Sequence, residues 1–255
     1  MKLIRYALIS TLWLLPLCGD DLCTKPFSEW NAKQARKVVT DSAWSKQMTL
    51  ANAATSAALD ENASMGSSER SARAALGGAG EKGSGMHGEK ELFYRYTARL
   101  FSALPVRQAY LRLLRLDNNY DRMTADEKQE FDARFSSLAA EAGSDIVVSV
   151  DFDSNHRETL MEVNRQLRQA TRDTLDQRAY LISDRVGRVN LKDYVPPSAD
   201  GTGAKLIFPR QINGEPVVGT QDKQVKLEFV VPGSGHKVYI VWKVADLTCN
   251  GQLVL

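Results

Sequence analysis

Apolar and polar residues alternate most regularly near the C-terminus, where Val225, Leu227, Phe229 and Val231 are interleaved with Lys226 and Glu228. Val238, Ile240, Trp242 and Val244 repeat the pattern beyond Pro232, Gly233, Ser234 and Gly235. A period of two puts alternate side chains on one buried face, so this stretch predicts an antiparallel hairpin with a glycine-containing loop. The same period runs through Tyr94, Tyr96, Ala98 and Leu100, set against Arg95, Thr97 and Arg99. The β-branched run Ile146, Val147, Val148 and Val150 predicts another strand, and Leu206 to Phe208 a further one. Asn213 and Gly214 mark a turn.

Elsewhere the apolar spacing is three or four. Trp30, Ala35, Val38 and Val39 predict a short helix ending near Asp41, with Ser28 as its N-cap. Val106, Ala109, Tyr110, Leu113 and Leu114 form a stripe behind Pro105, which a first helical turn tolerates. Thr124 and Glu127 have capping-box spacing and open a helix carrying Phe131, Phe135 and Leu138. Leu160, Val163, Leu167 and Ala170 mark a longer one. Together these elements predict an α+β fold, a helix-backed sheet with a predominantly antiparallel, β-rich C-terminal part. Residues 20–52 read as an N-terminal helical segment packed on a main α+β domain of residues 89–255. Between them, residues 53–88 hold seven of the 17 glycines, much alanine and serine, and no aromatic residue. Such a composition buries too little apolar surface to offset its ordering entropy and reads as a flexible segment.

The first residues show neither period. Lys2 and Arg5 precede an apolar run from Tyr6 to Cys18, and Asp20 and Asp21 follow it. That order is the order of a secretory signal, with residues 1–19 removed after the small residue Gly19. The run is shorter than the roughly 20 apolar residues of a bilayer-spanning helix and contains Pro16, so no membrane span is expected in the mature form. A lipoprotein cut before Cys18 is the secondary expectation, because Leu17 stands where such signals carry a small residue. The expected location is therefore extracytoplasmic, periplasmic or secreted.

Removal of the signal changes the charge picture. Lys2 and Arg5 leave with it, so 33 basic residues become 31, against 31 acidic ones. A near-neutral mature chain gives no global electrostatic footprint for nucleic acid. Cys23 and Cys249 then remain as the one possible pair, and an oxidising compartment would allow them to form a disulfide or leave them as two thiols.

Candidate chemistry centres on Asp151, Asp153 and Asn155, with Glu162 beyond them, because calcium loops place oxygen ligands at alternate positions and close with a bidentate glutamate. His156 occupies the position of the glycine that such a loop needs, and a simpler role for Asp153 or Asn155 is to cap the helix that follows. Asp117, Asn119 and Asp121 begin similarly, but Arg122 and Lys128 fill the glycine and glutamate positions, so they read as a polar turn. His87, His156 and His236 are scattered and read as solvated. Ser234 lies between glycines in a hairpin loop, without the strand-to-helix context of a nucleophile elbow. Gly201 and Gly203 read as a turn. No cofactor is expected, and no catalytic or metal-binding residue is assigned.

The stretches KPFSEWNAKQARKVVTDSAWSKQ, ELFYRYTARLFSALPVRQAY, LISDRVGRVNLKDYVPPSADGTGAKLIFPR and GHKVYIVWKV resemble a family of uncharacterised exported bacterial proteins. The resemblance implies export and a single fold for the ordered segments, and no activity. Two functions follow as expectations. The first is a non-catalytic extracytoplasmic protein that binds an envelope protein or a surface component. The alternative is a hydrolytic enzyme whose site, at the end of the 146–152 strand, would gather Asp151, Asp153, His156 and Arg157.

Overall fold

The computed structural model describes residues 23–51, 92–139 and 143–255, and the signal, the lipoprotein cysteine and the 53–88 segment lie outside the described residues. In chain order the elements are α1 (Ala32–Thr40), β1 (Ser45–Ala51), β2 (Phe93–Leu100), α2 (Leu104–Asp117), α3 (Ala125–Arg134), α4 (Ser136–Ala139) and β3 (Asp145–Ser154). They continue with α5 (Arg157–Gln169), α6 (Arg172–Leu175), β4 (Ala179–Ser183), β5 (Gly187–Asn190), β6 (Asp193–Val195) and β7 (Ala204–Pro209). The last are β8 (Gln211–Ile212), β9 (Glu215–Pro216), β10 (Gln224–Val230), β11 (Lys237–Lys243), β12 (Thr248–Cys249) and β13 (Gln252–Leu253).

The α+β class is as the sequence predicts, but the strands form two main sheets rather than one. A five-stranded sheet runs in the order β1-β2-β3-β7-β6, and a four-stranded sheet in the order β11-β10-β4-β5. Every neighbouring pair is antiparallel. Alternation decides which faces meet. In the first sheet Tyr96 pairs with Phe152, Ala98 with Val150, and Val148 with both Leu100 and Leu206. In the second, Leu227 lies between Leu181 and Ile240, and Val225 between Ser183 and Trp242. These apolar rows form one continuous core, to which α5 adds Val163 and Leu167.

The outer face of the five-stranded sheet is covered by helices. Trp30, Val38 and Val39 pack with Ala109 of α2 in a smaller buried cluster. The N-cap of α1 is Asn31, whose side chain accepts from the Gln34 amide while Gln34 returns a bond to the Asn31 amide, and not Ser28. Ser28 lies instead in a 3-10 turn, Phe27–Glu29, that follows Pro26. The 20–52 segment is not wholly helical, because β1 pairs along its length with β2 from Ser45↔Arg99 to Ala51↔Phe93. The capping box of Thr124 and Glu127 forms as expected at the start of α3.

Two tryptophans and a disulfide tie the sheets together where β1 meets β11. Trp242 Nε1 donates to the Trp44 carbonyl at 3.2 Å, and Trp44 Nε1 donates to the Val254 carbonyl at 3.0 Å. Both rings are fully buried, so each indole N–H needs such an acceptor. Nearby, Cys23 and Cys249 form a disulfide with their Cα atoms 5.4 Å apart and 226 positions apart in the chain. A bridge closing so long a loop removes much conformational freedom from the unfolded chain.

Reduction of that bridge, or Cys23→Ser with Cys249→Ser, is expected to lower stability by about 2–5 kcal/mol. Urea unfolding followed by tryptophan fluorescence, with and without reductant, checks this. An unchanged midpoint would mean that the bridge contributes nothing to stability.

Candidate functional site

The outward-facing residues of β2 and β3 are mostly polar, with Phe93 and Val147 as the exceptions, and register sets them in rows. Arg95 lies opposite Asp153, Thr97 opposite Asp151, and Arg99 opposite Ser149, with Ser45 and Gln47 of β1 continuing the rows. Outward side chains of a central strand are normally solvated, yet here α1 and α2 lie over them, so Ser45, Thr97, Arg99 and Ser149 are all buried. A buried guanidinium requires a partner. Arg99 finds two, donating through Nη1 to Asp151 Oδ2 and through Nε to the Val39 carbonyl at the end of α1. Its guanidinium also lies 5.9 Å from the centre of the Tyr110 ring, where burial pushes the phenol pKa up to about 12.

Asp151 is in turn hemmed in by the loop before β7. Gly203 has a positive φ of 80°, and a Cβ there would lie 2.6 Å from the Val150 carbonyl oxygen, so only glycine lets this loop approach β3 so closely. In the same loop burial opposes ionisation of Asp200, but hydrogen bonds from the Thr202 amide and hydroxyl outweigh it and bring the pKa down to about 2. Among the described residues the Ser45 and Ser149 hydroxyls on either side of Arg99 have no hydrogen-bond partner. The cluster is thus a tight packing of charge around one arginine.

The other residues of the alternative hydrolytic site and of the calcium loop do not join it. Asp153 faces Arg95 at 3.7 Å, with both side chains largely exposed. Asn155 does not cap α5: its Oδ1 accepts from the Phe93 amide at 3.0 Å, at the start of β2. The cap is His156, whose Nδ1 accepts from the Thr159 amide and bonds the Thr159 hydroxyl at 2.7 Å. Arg157 is exposed on the first turn of α5. Glu162 sits one turn further along, bonded to both Arg165 and Gln166. Among the described residues no three side chains of His, Cys, Asp or Glu gather to hold a metal ion.

A second polar cluster joins the two sheets and was not legible in the sequence. The Tyr96 hydroxyl is 2.6 Å from His236 Nδ1 and 3.2 Å from Ser234 Oγ, which itself accepts from the His236 amide at 3.1 Å. Tyr96 comes from the core face of β2, while Ser234 and His236 come from the loop between β10 and β11. His236 is therefore half-buried, with its ring 5.0 Å from that of Tyr94, and not fully solvated. Burial lowers its pKa and raises that of Tyr96. The Tyr96 hydroxyl thus bonds both the Ser234 hydroxyl and the His236 ring, and the three groups latch β2 to the loop between β10 and β11. Gly233 tightens the latch, since a Cβ there would lie 2.7 Å from Gln166 Cγ of α5.

Asp151→Ala leaves the Arg99 guanidinium buried without its carboxylate and is expected to cost about 2–3 kcal/mol in denaturant unfolding. Asp153→Ala, which removes an exposed pair, should cost less than about 1 kcal/mol in the same assay. Equal losses would show that burial of Arg99 does not govern the cluster. The His236 latch gives a pH signature. A folded-state pKa below the ordinary 6.5 means that its stabilisation is complete above that value and is lost as pH falls through the folded pKa. Unfolding midpoints of the protein and of His236→Gln should therefore converge on acidification, and parallel curves would exclude the latch.

Comparison with protein-family models, with characterised proteins and with solved structures finds no significant match to this chain.

Proposed function

We propose that this is a non-catalytic protein, exported from the cytoplasm, that acts by binding an envelope protein or a surface component. The observation that carries this reading is the fate of the strand-end residues. Asp151 holds Arg99, Asp153 faces Arg95 and His156 caps α5, so each is occupied in a structural role and they diverge from one another. A hydrolytic site needs such groups free and converging on a reacting atom. The disulfide between Cys23 and Cys249 supports export, because bridges of this kind persist in oxidising compartments. The apolar segment ahead of Asp20, with Lys2 and Arg5 at its start, supports it further. None of the described helices is long and apolar enough to cross a membrane.

Fractionation of a bacterium expressing the full chain tests the reading. The expected product begins at Asp20, leaves the cell with the periplasmic or secreted fraction and carries no free thiol at Cys23 or Cys249. In-envelope cross-linking is expected to trap it with a discrete partner. An unprocessed cytoplasmic chain with reduced cysteines would overturn the proposal.

A further inference from the structure

The four-stranded sheet has an inner face in the core and an outer face whose residues are half-buried or exposed. Register assigns that outer face. One row across it reads Val241, Lys226, Ile182, Arg188, and the next reads Tyr239, Glu228, Tyr180, Asn190. Lys243 and Lys237 stand at the two ends of β11, opposite Gln224 and Val230. Four cations thus share the paired strands of this face with one acid, and a second, the exposed Asp184, follows β4 and accepts from the Lys223 and Gln224 amides. Glu228 is already engaged by Lys237 at 2.6 Å and by the Tyr180 hydroxyl at 2.7 Å. Among the described residues Arg188, Lys226 and Lys243 make no close ion pair, although the charge of Lys226 helps to hold the Glu228 carboxyl below its usual range. In a mature chain of near-zero net charge, this is a local segregation of positive charge.

We propose that this face is the binding surface, and that its occupant is an acidic polysaccharide whose carboxylates meet Lys243, Lys226 and Arg188 while its sugar rings lie on Tyr239. The inference rests on the reading of the protein as an exported binder and names its surface and partner chemistry. The three cations lie on β11, β10 and β5, across the whole sheet, a span of about 14 Å at the usual strand spacing. An extended polyanion matches such a line. Arg188 is held ready by hydrogen bonds to Asn190 and Gln177 and by stacking 4.0 Å over the Tyr180 ring, which leaves little freedom to lose on binding. A protein partner fits less well, since the central strand β10 puts Lys226 and Glu228 where interface cores are depleted in charge. A bilayer fits less well too, because none of the exposed large apolar side chains, Leu92, Leu104, Met161 and Val195, lies on this face to insert.

Binding of the full mature chain to sodium polygalacturonate, with dextran as the neutral control, tests the proposal. Binding to polygalacturonate alone, weakening with salt, is expected. Arg188→Glu with Lys226→Glu should weaken it by about tenfold or more. Lys33→Glu with Lys37→Glu, the same charge change on the exposed side of α1, should leave it unchanged. Tyr239→Ala should weaken binding without altering its salt dependence. Each variant is checked for an intact disulfide and far-UV spectrum, and Tyr239→Ala provides an uncharged test if the double reversal misfolds. Equal binding by the two charge-reversed variants, no binding to polygalacturonate, or preferential binding to phosphatidylglycerol-containing vesicles would overturn the inference. A partner protein cross-linked elsewhere on the surface would leave the binder reading standing while this face failed; failure of export would remove both.

Discussion

Tyr96, Val148, Leu206 and Phe208 of one sheet and Leu181, Leu227, Phe229 and Trp242 of the other are all sealed from solvent in a single core. Burial of apolar area on this scale is the main favourable term in the fold, and it has a geometric condition attached. Each strand must present its apolar set to the opposite sheet, and a slip of one residue would send the whole set outward. The register of β2, β3, β10 and β11 is therefore fixed by the core, and with it the position of every outward side chain. The Trp44, Trp242 and disulfide junction then closes the corner where β1 meets β11, binding residues from the two ends of the described chain to the same place.

The two outer faces have opposite fates for a physical reason. On the five-stranded sheet, α1 and α2 bring their own apolar stripes down over polar rows, and burial forces the charges beneath to find partners. Arg99 is the consequence: its carboxylate, the Val39 carbonyl and the Tyr110 ring compensate a charge taken out of water. The Asp151 carboxylate is thereby committed to structure. On the four-stranded sheet the outer face is half-buried or exposed, so its lysines and Arg188 reach solvent. A total charge of only +2 conceals this, because the mean of a charge distribution says nothing about where its excess lies.

Much of the architecture was legible in residue patterns. The hairpin of β10 and β11, the strand at 93–100, the proline-led helix after it and the Thr124 capping box all depend on neighbours close in sequence. β1 escaped because Lys46, Met48 and Leu50 alternate only weakly and are ordered by pairing with β2, more than forty positions away. The cap of α5 escaped for a related reason. Asn155 has the better capping side chain, but the start of β2 draws it off, and His156 takes its place.

The sequence alone determined the local periods, the helix starts, the α+β class and the two cysteines that an oxidising compartment could join. Those properties reside in spacing and side-chain chemistry. Tertiary structure decided that the strands divide into two sheets, that Asp151 serves Arg99, that His236 meets Tyr96, and that Arg188, Lys226 and Lys243 share one open face. Each of these joins residues far apart in the chain, and the burial that selects among such pairings is a property of the assembled core, so no short window of sequence contains it.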